Sequence, residues 1–168
     1  MLPAQSLGVA VSSMAGQNIG VRDWSRVKGI TTYGVLYNLS VMLAVGIMVV
    51  IFAEHGIRLF IQEEDAVRFG TRYLQIIALC YPFLGINFIL NGIVRAAGAM
   101  YQVLALNIIS FWVLRYPLAA LFSSWFGDMG IAIGMGASFI VSSLAAYLYY
   151  RFGKWREKEL FATAGGSQ

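Results

Sequence analysis

The sequence predicts an all-α integral membrane protein, with four full transmembrane helices and a partial one ahead of them. Two observations carry this. Hydrophobic residues make up 59% of the 168-residue chain and charged residues only 12%, whereas a soluble domain uses about 25% charged residues. The few charges are also gathered into short clusters that leave long uncharged runs between them. Mean hydropathy is +0.70, so much of this apolar surface must face lipid.

Each element follows from a run. Gly29–Ala53, Tyr73–Val94, Ala96–Leu114 and Met129–Tyr150 contain no charged residue. A spanning helix needs about 20 apolar residues at about 1.5 Å rise each, and all four suffice. After Arg115 the third of them resumes its apolar character to Phe126. The predicted spans are therefore 29–53, 73–94, 101–126 and 129–150. Leu2–Ala15 is uncharged but too short to span, and it opens on Pro3. Residues 1–15 are read as the end of a transmembrane helix whose beginning lies upstream; the alternative is a re-entrant or interfacial segment. The connections are then 16–28, 54–72 and 95–100, with a tail over 151–168 whose end, Phe161–Gln168, is small and polar and expected to be disordered.

Charge sets the orientation. Alternate connections share a side of the membrane, and one side collects Arg22, Arg26, Lys28, Arg95, Arg151, Lys154, Arg156 and Lys158. The other collects Arg58, Arg68 and Arg72 beside Glu54, Glu63, Glu64 and Asp65. The positive-inside rule places the first set in the cytoplasm. This predicts a multi-pass cell-membrane protein with loops 16–28 and 95–100 cytoplasmic, 54–72 extracytoplasmic, and a cytoplasmic C-terminus. The lipid bilayer is its first partner, and the formal net charge of +4 then needs no nucleic acid to explain it. Trp24, Trp125 and Trp155 fall at predicted interfaces, as an aromatic belt would.

Polar residues within spans are rare and point to function. Asn87 and Asn91 share a helix face with Cys80 and Leu84, at spacings of four, three and four. They are candidates to line a substrate cavity; the alternative is that they join neighbouring helices by hydrogen bonds. Asn107, Phe111 and Arg115 share a face with Leu104 and are candidates for the same cavity. Arg115 falls in the outer half of the membrane, where it either lines an aqueous cavity, pairs with an acid elsewhere, or snorkels to the headgroups. Pro82 and Pro117 are expected to kink their helices. Gly130, Gly134, Ser138 and Ser142 recur every fourth residue as a helix-packing stripe.

Enzyme chemistry is not expected. No acid or histidine lies in a predicted span, Cys80 and His55 are the only residues of their kinds, and neither a metal cluster nor a nucleophile motif is present. His55 reads as a solvated loop residue. No metal and no cofactor is predicted. The glycine-framed stretch Gly16–Trp24, GQNIGVRDW, invites comparison with a phosphate loop, but it lacks the preceding strand and the Lys-Ser/Thr pair. Gly16 and Gly20 are read instead as a hinge between helices, with Gln17 and Asn18 bonding the exposed backbone.

The motifs together resemble one family. GQNIGVRDWSRVKG is similar to the GQN-x-G-x-x-D-x-x-R signature of the multidrug and toxic-compound extrusion (MATE) transporters. The stretch from Gly85 to Ala119 is similar to that family's G-x-x-R-G-x-G helix end followed by a helix with N-x-x-x-x-W and a proline. The resemblance runs from about Leu7 to Trp155. It implies twelve helices in two six-helix lobes, of which this chain looks like the end of the eighth and helices nine to twelve, a C-terminal part of the second lobe. It also implies export of drugs or toxic organic cations in exchange for protons or sodium, by alternating access, with the missing N-terminal lobe as partner. The competing expectation is a truncated membrane protein with a structural or assembly role and no transport by itself. Four departures stand out. Leu84 lies near the place where some members carry an acid in the tenth helix, and Met100 near a customary acid. Ala96 and Ala97 depart from the pattern after Arg95. Where the pattern has Gly-Ala-Gly-Asp, Gly20–Asp23 reads GVRD, so Arg22 replaces a small residue.

Overall fold

The computed structural model describes residues 2–157. They form helices α1 (Leu2–Gly20), α2 (Trp24–Arg58), α3 (Glu64–Ala96), α4 (Met100–Ile108), α5 (Arg115–Phe126) and α6 (Met129–Phe152). A π-helical turn, Ile109–Leu114, joins α4 to α5, and a 3-10 turn, Lys154–Glu157, follows α6. Four stretches are long and apolar enough to cross a membrane: α2, α3, the α4–α5 unit and α6. The expectations for Lys158, Glu159 and Phe161–Gln168 lie outside the described residues.

The helices outlast the uncharged runs. The predicted loop 16–28 shrinks to residues 21–23, 54–72 to 59–63, and 95–100 to 97–99. Charged residues do not stop a helix; a terminus needs capping groups or a residue that leaves helical φ/ψ. The turn after α1 shows which residue does that here. Arg22 N–H donates to Ile19 O at 2.9 Å and Asp23 N–H to Asn18 O at 2.9 Å, the paired bonds of a Schellman ending. Its left-handed position is Arg22, at φ 57°. Gly16 and Gly20 are helical, and the turn between α1 and α2 is made at Arg22. Asp23 then opens α2, its carboxylate accepting from Arg26 N–H at 3.0 Å. The Asn18 side chain bonds back to Met14 O at 2.8 Å, inside α1 rather than at the exit. The α3–α4 turn repeats the motif with a glycine: Gly98 has φ 85°, and Ala99 N–H reaches Val94 O at 3.2 Å.

Helix α3 is the hub, buried almost continuously from Leu84 to Val94, with α1, α2, α4 and α6 packed around it. Pro82 sits within α3 and does not end it. Its missing N–H leaves Ala78 O without the helical donor, and α2 fills in there. A Cβ on Gly46 would stand 3.1 Å from Ala78 O, so a side chain there would push the two backbones apart by a few tenths of an ångström. Two turns earlier in α2, fully buried Asn38 directs its amide nitrogen at Pro82 O, 3.4 Å away. On the other side of the bundle, a Cβ on Gly134 would stand 2.6 Å from Ala119 Cα, and one on Gly130 would collide with Phe122 O. The α6 glycines therefore lie against the α5 backbone, while Ser138 and Ser142 are buried further along α6.

Trp155 departs from the belt expectation. It is fully buried, stacks on Tyr150 at 5.2 Å, meets Trp24 edge-on at 5.9 Å, and donates its indole N–H to Tyr150 O at 2.8 Å. The 3-10 turn after α6 folds it inward, onto the start of α2. Trp125 remains exposed.

Candidate functional site

The intramembrane amides converge. Asn87 and Asn91 lie one turn apart on α3, and Asn91 Nδ2 donates to Asn87 Oδ1 at 2.8 Å. The same nitrogen reaches across to Asn107 Oδ1 on α4 at 3.2 Å. Asn87 and Asn91 are buried, and Asn107 is half-buried. Asn91 thus uses its amide nitrogen to join two helices whose connection is only three residues long.

The line of polar groups continues along the α4–α5 unit. Phe111, in the π-helical turn, packs with Leu84 and Phe139. The Arg115 guanidinium lies over two rings, 5.6 Å from the centre of Phe111 and 5.1 Å from that of Phe139. Cation–π contact stabilises an arginine that has left water. Arg115 Nε is buried without a hydrogen-bond partner, and among the described residues Arg115 has no carboxylate partner, both ion pairs belonging to Arg58. The five candidate residues therefore form two groups, the amides Asn87, Asn91 and Asn107 between α3 and α4, and Phe111 with Arg115 beside Phe139 of α6. Leu104, placed on the same face by spacing, is instead exposed. The π-helical turn also changes the pitch between Asn107 and Arg115, so a single 3.6-residue face does not run from one to the other.

That turn also revises the picture at Pro117. The proline is the third residue of α5, immediately after the π-helical turn. Its ring would crowd the carbonyl four residues back, that of Val113. The wider π turn contains Val113, and such turns recur at functional sites.

Asn38 was not among the candidates; its Oδ1 is buried without a partner and pressed against Gly85. Its signal was available: an asparagine in the middle of an uncharged run. A second feature outside the candidates is a groove of about 780 Å³ between α2, α3 and α6. None of Asn87, Asn91, Asn107, Phe111 and Arg115 lines that groove, so the amide cluster and the groove are separate places. On the opposite end of the bundle, Arg58 holds Glu64 bidentately at 2.9 and 3.2 Å and Glu54 at 3.0 Å. The guanidinium beside Glu64 keeps that carboxyl below its ordinary pKa, chiefly through the hydrogen bonds.

Comparison with known proteins matches residues 1–121 to the MatE family model. The chain is 59% identical to the probable multidrug resistance protein YpnP of Bacillus subtilis strain 168, over 95% of the chain and 36% of that protein. It is 30% identical to the probable multidrug resistance protein NorM of Thermotoga maritima, over 94% of the chain and 34% of the relative. Among solved structures, an outward-facing multidrug resistance MATE family transporter of the MOP superfamily superposes with a TM-score of 0.78. That match is 24% identical and covers 90% of this chain and 34% of the other. The chain thus spans about a third of the length of these relatives.

Proposed function

Since this chain belongs to the MatE family, we propose that it forms the C-terminal part of a multidrug exporter, and that Asn87, Asn91, Asn107, Phe111 and Arg115 line one wall of its substrate cavity. The observation that carries the reading is the amide bridge from Asn91 to both Asn87 and Asn107. It supports the reading because hydrogen-bonding groups in an apolar helix bundle, with the Arg115 guanidinium over two aromatic rings further along the α4–α5 unit, are the surroundings an amphipathic compound needs in order to leave water. The wall is also mechanically suited to alternating access, in which one bundle rocks against another. The π-helical turn and Pro117 give the α4–α5 unit a place to bend, and Arg22 and Gly98 give the short connections their turns.

Transport in this reading exchanges an organic cation or amphipathic compound for protons or sodium, with no bound cofactor. No acid lies in the charge-free spans, so the coupling carboxylate is assigned to the part of the transporter that this chain does not span. The lysine- and arginine-rich connections and the C-terminus lie in the cytoplasm.

The test uses membrane vesicles containing the transporter that carries this segment, a fluorescent organic cation, and an imposed proton or sodium gradient. Asn91→Leu removes both amide bonds, and intramembrane bonds of this kind average about 0.6 kcal/mol each. If the asparagines only join helices, flux falls no further than the amount of folded protein. The cavity reading expects gradient-driven flux to fall tenfold or more while the amount of folded protein stays near wild type. Unchanged flux in Asn91→Leu and Asn87→Leu overturns the cavity assignment. Absence of gradient-dependent flux in a sound preparation of the wild type overturns the exporter reading.

A further inference from the structure

We propose that the groove between α2, α3 and α6 seats an anionic phospholipid of the cytoplasmic leaflet, a site that rests on the orientation proposed above but not on the transport reading. Its lining changes character along its length. At one end stand Lys28 near the start of α2, Arg151 near the end of α6, and Arg156 in the 3-10 turn. Next come hydroxyls: Thr31 Oγ1 and Tyr150 OH are 3.0 Å apart and buried. Beyond them the walls are apolar, from Val35, Phe83, Ile140 and Leu144. From Lys28 to Leu36 along α2 is about 12 Å at the α-helical rise. A phosphate, a glycerol ester region and the first part of an acyl chain present the same sequence of chemistries over such a distance.

Charge complementarity selects the occupant. Among the described residues no acid lines the groove, so none of the described lining groups offsets the three cations. Arg156 is held in place, its guanidinium 5.2 Å from the Trp155 ring centre and 5.9 Å from that of Tyr150. A cationic amphiphile would be repelled by the same three side chains. A further apolar helix of the polypeptide would leave them unneutralised. Basic pockets between membrane helices on the cytoplasmic side take anionic headgroups for this reason.

The test is native mass spectrometry of the purified protein in neutral detergent, titrated with phosphatidylglycerol or phosphatidylcholine of the same acyl chains. Phosphatidylglycerol is expected to be retained at least tenfold better. Each cation near the surface contributes about fivefold, so K28Q/R151Q/R156Q should erase the preference, while R68Q/R72Q, at the other end of the bundle, should keep it. Ile140→Trp fills the groove without changing charge and should also lose phosphatidylglycerol; Leu144→Phe serves if that variant does not fold. Equal binding of the two lipids, or a preference that survives the triple substitution, overturns the proposal. So does full phosphatidylglycerol binding in the groove-filled variants, which would mean diffuse surface attraction. A groove already covered by another helix shows itself as no lipid preference in the wild type, and that outcome also overturns it.

Discussion

Replacing Trp155 by alanine should be among the most damaging single substitutions in the chain, although the residue lies beyond the last membrane helix. The side chain is 0% exposed. Truncating a buried tryptophan removes its transfer free energy and leaves a cavity, together about 3–5 kcal/mol. Two aromatic contacts, with Tyr150 and Trp24, and the 2.8 Å bond to Tyr150 O keep Trp155 clear of the lower end of that range, at about 4 kcal/mol. For a chain of this length, that corresponds to a melting point lowered by about 10 °C. Cys80 is the only cysteine, half-buried in α3 with its sulfur near Gly136, and so serves as a built-in reporter. A fluorogenic maleimide added during a temperature ramp reads its exposure as the bundle opens. Trp155→Phe keeps a ring but loses the N–H and should fall between wild type and Trp155→Ala. Trp125→Ala removes the same atoms from a side chain 68% exposed and should shift melting by about 2 °C or less, as surface changes do. The reasoning fails if Trp155→Ala and Trp125→Ala melt within 2 °C, on the order of the surface-substitution effect, because Trp155 would then contribute no more than a lipid-facing residue.

Three further outcomes follow from single features. Arg22→Gly should raise the melting point, since a non-glycine residue at φ 57° carries strain of about 1 kcal/mol or more, partly offset by glycine's greater freedom when unfolded. A lower melting point for this variant would show that the arginine side chain makes an offsetting contact. Gly134→Ala should destabilise by about 2 kcal/mol, because its new Cβ meets the α5 backbone at 2.6 Å and overpacking typically costs that much; Gly20→Ala, with nothing within 4 Å, should be neutral or slightly stabilising. The Arg58–Glu64 pair should loosen the α2–α3 turn on acidification. Glu64's pKa in the folded protein is lowered by Arg58, so its stabilisation is present above the unfolded value of about 4.3 and is lost as pH falls through the folded value. A spin label at exposed Ile61 should gain mobility over that window, and Glu64→Gln should show the gain already at neutral pH; a label indifferent to both means that the pair does not hold the turn.

By itself the sequence determined that the chain is helical and membrane-spanning. Uncharged runs of about 20 residues leave few alternatives in lipid, where every backbone group must be bonded within its own segment. It also named the amides that meet, because Asn87 and Asn91 are one turn apart on a single helix and local spacing settles that much. What it did not determine depends on neighbours distant in sequence. Asn107 joins the amides only because Gly98 allows a tight turn that lays α4 along α3. Trp155 reads as an interfacial residue until the turn after α6 folds it onto Trp24. Asn38 is one polar residue in an apolar run until Pro82, 44 positions away, presents a carbonyl to it. The helix ends were misjudged for a related reason. Charge tells where a chain prefers water, but the end of a helix is set by where its last carbonyls find donors, and at the first turn those donors are the N–H groups of Arg22 and Asp23.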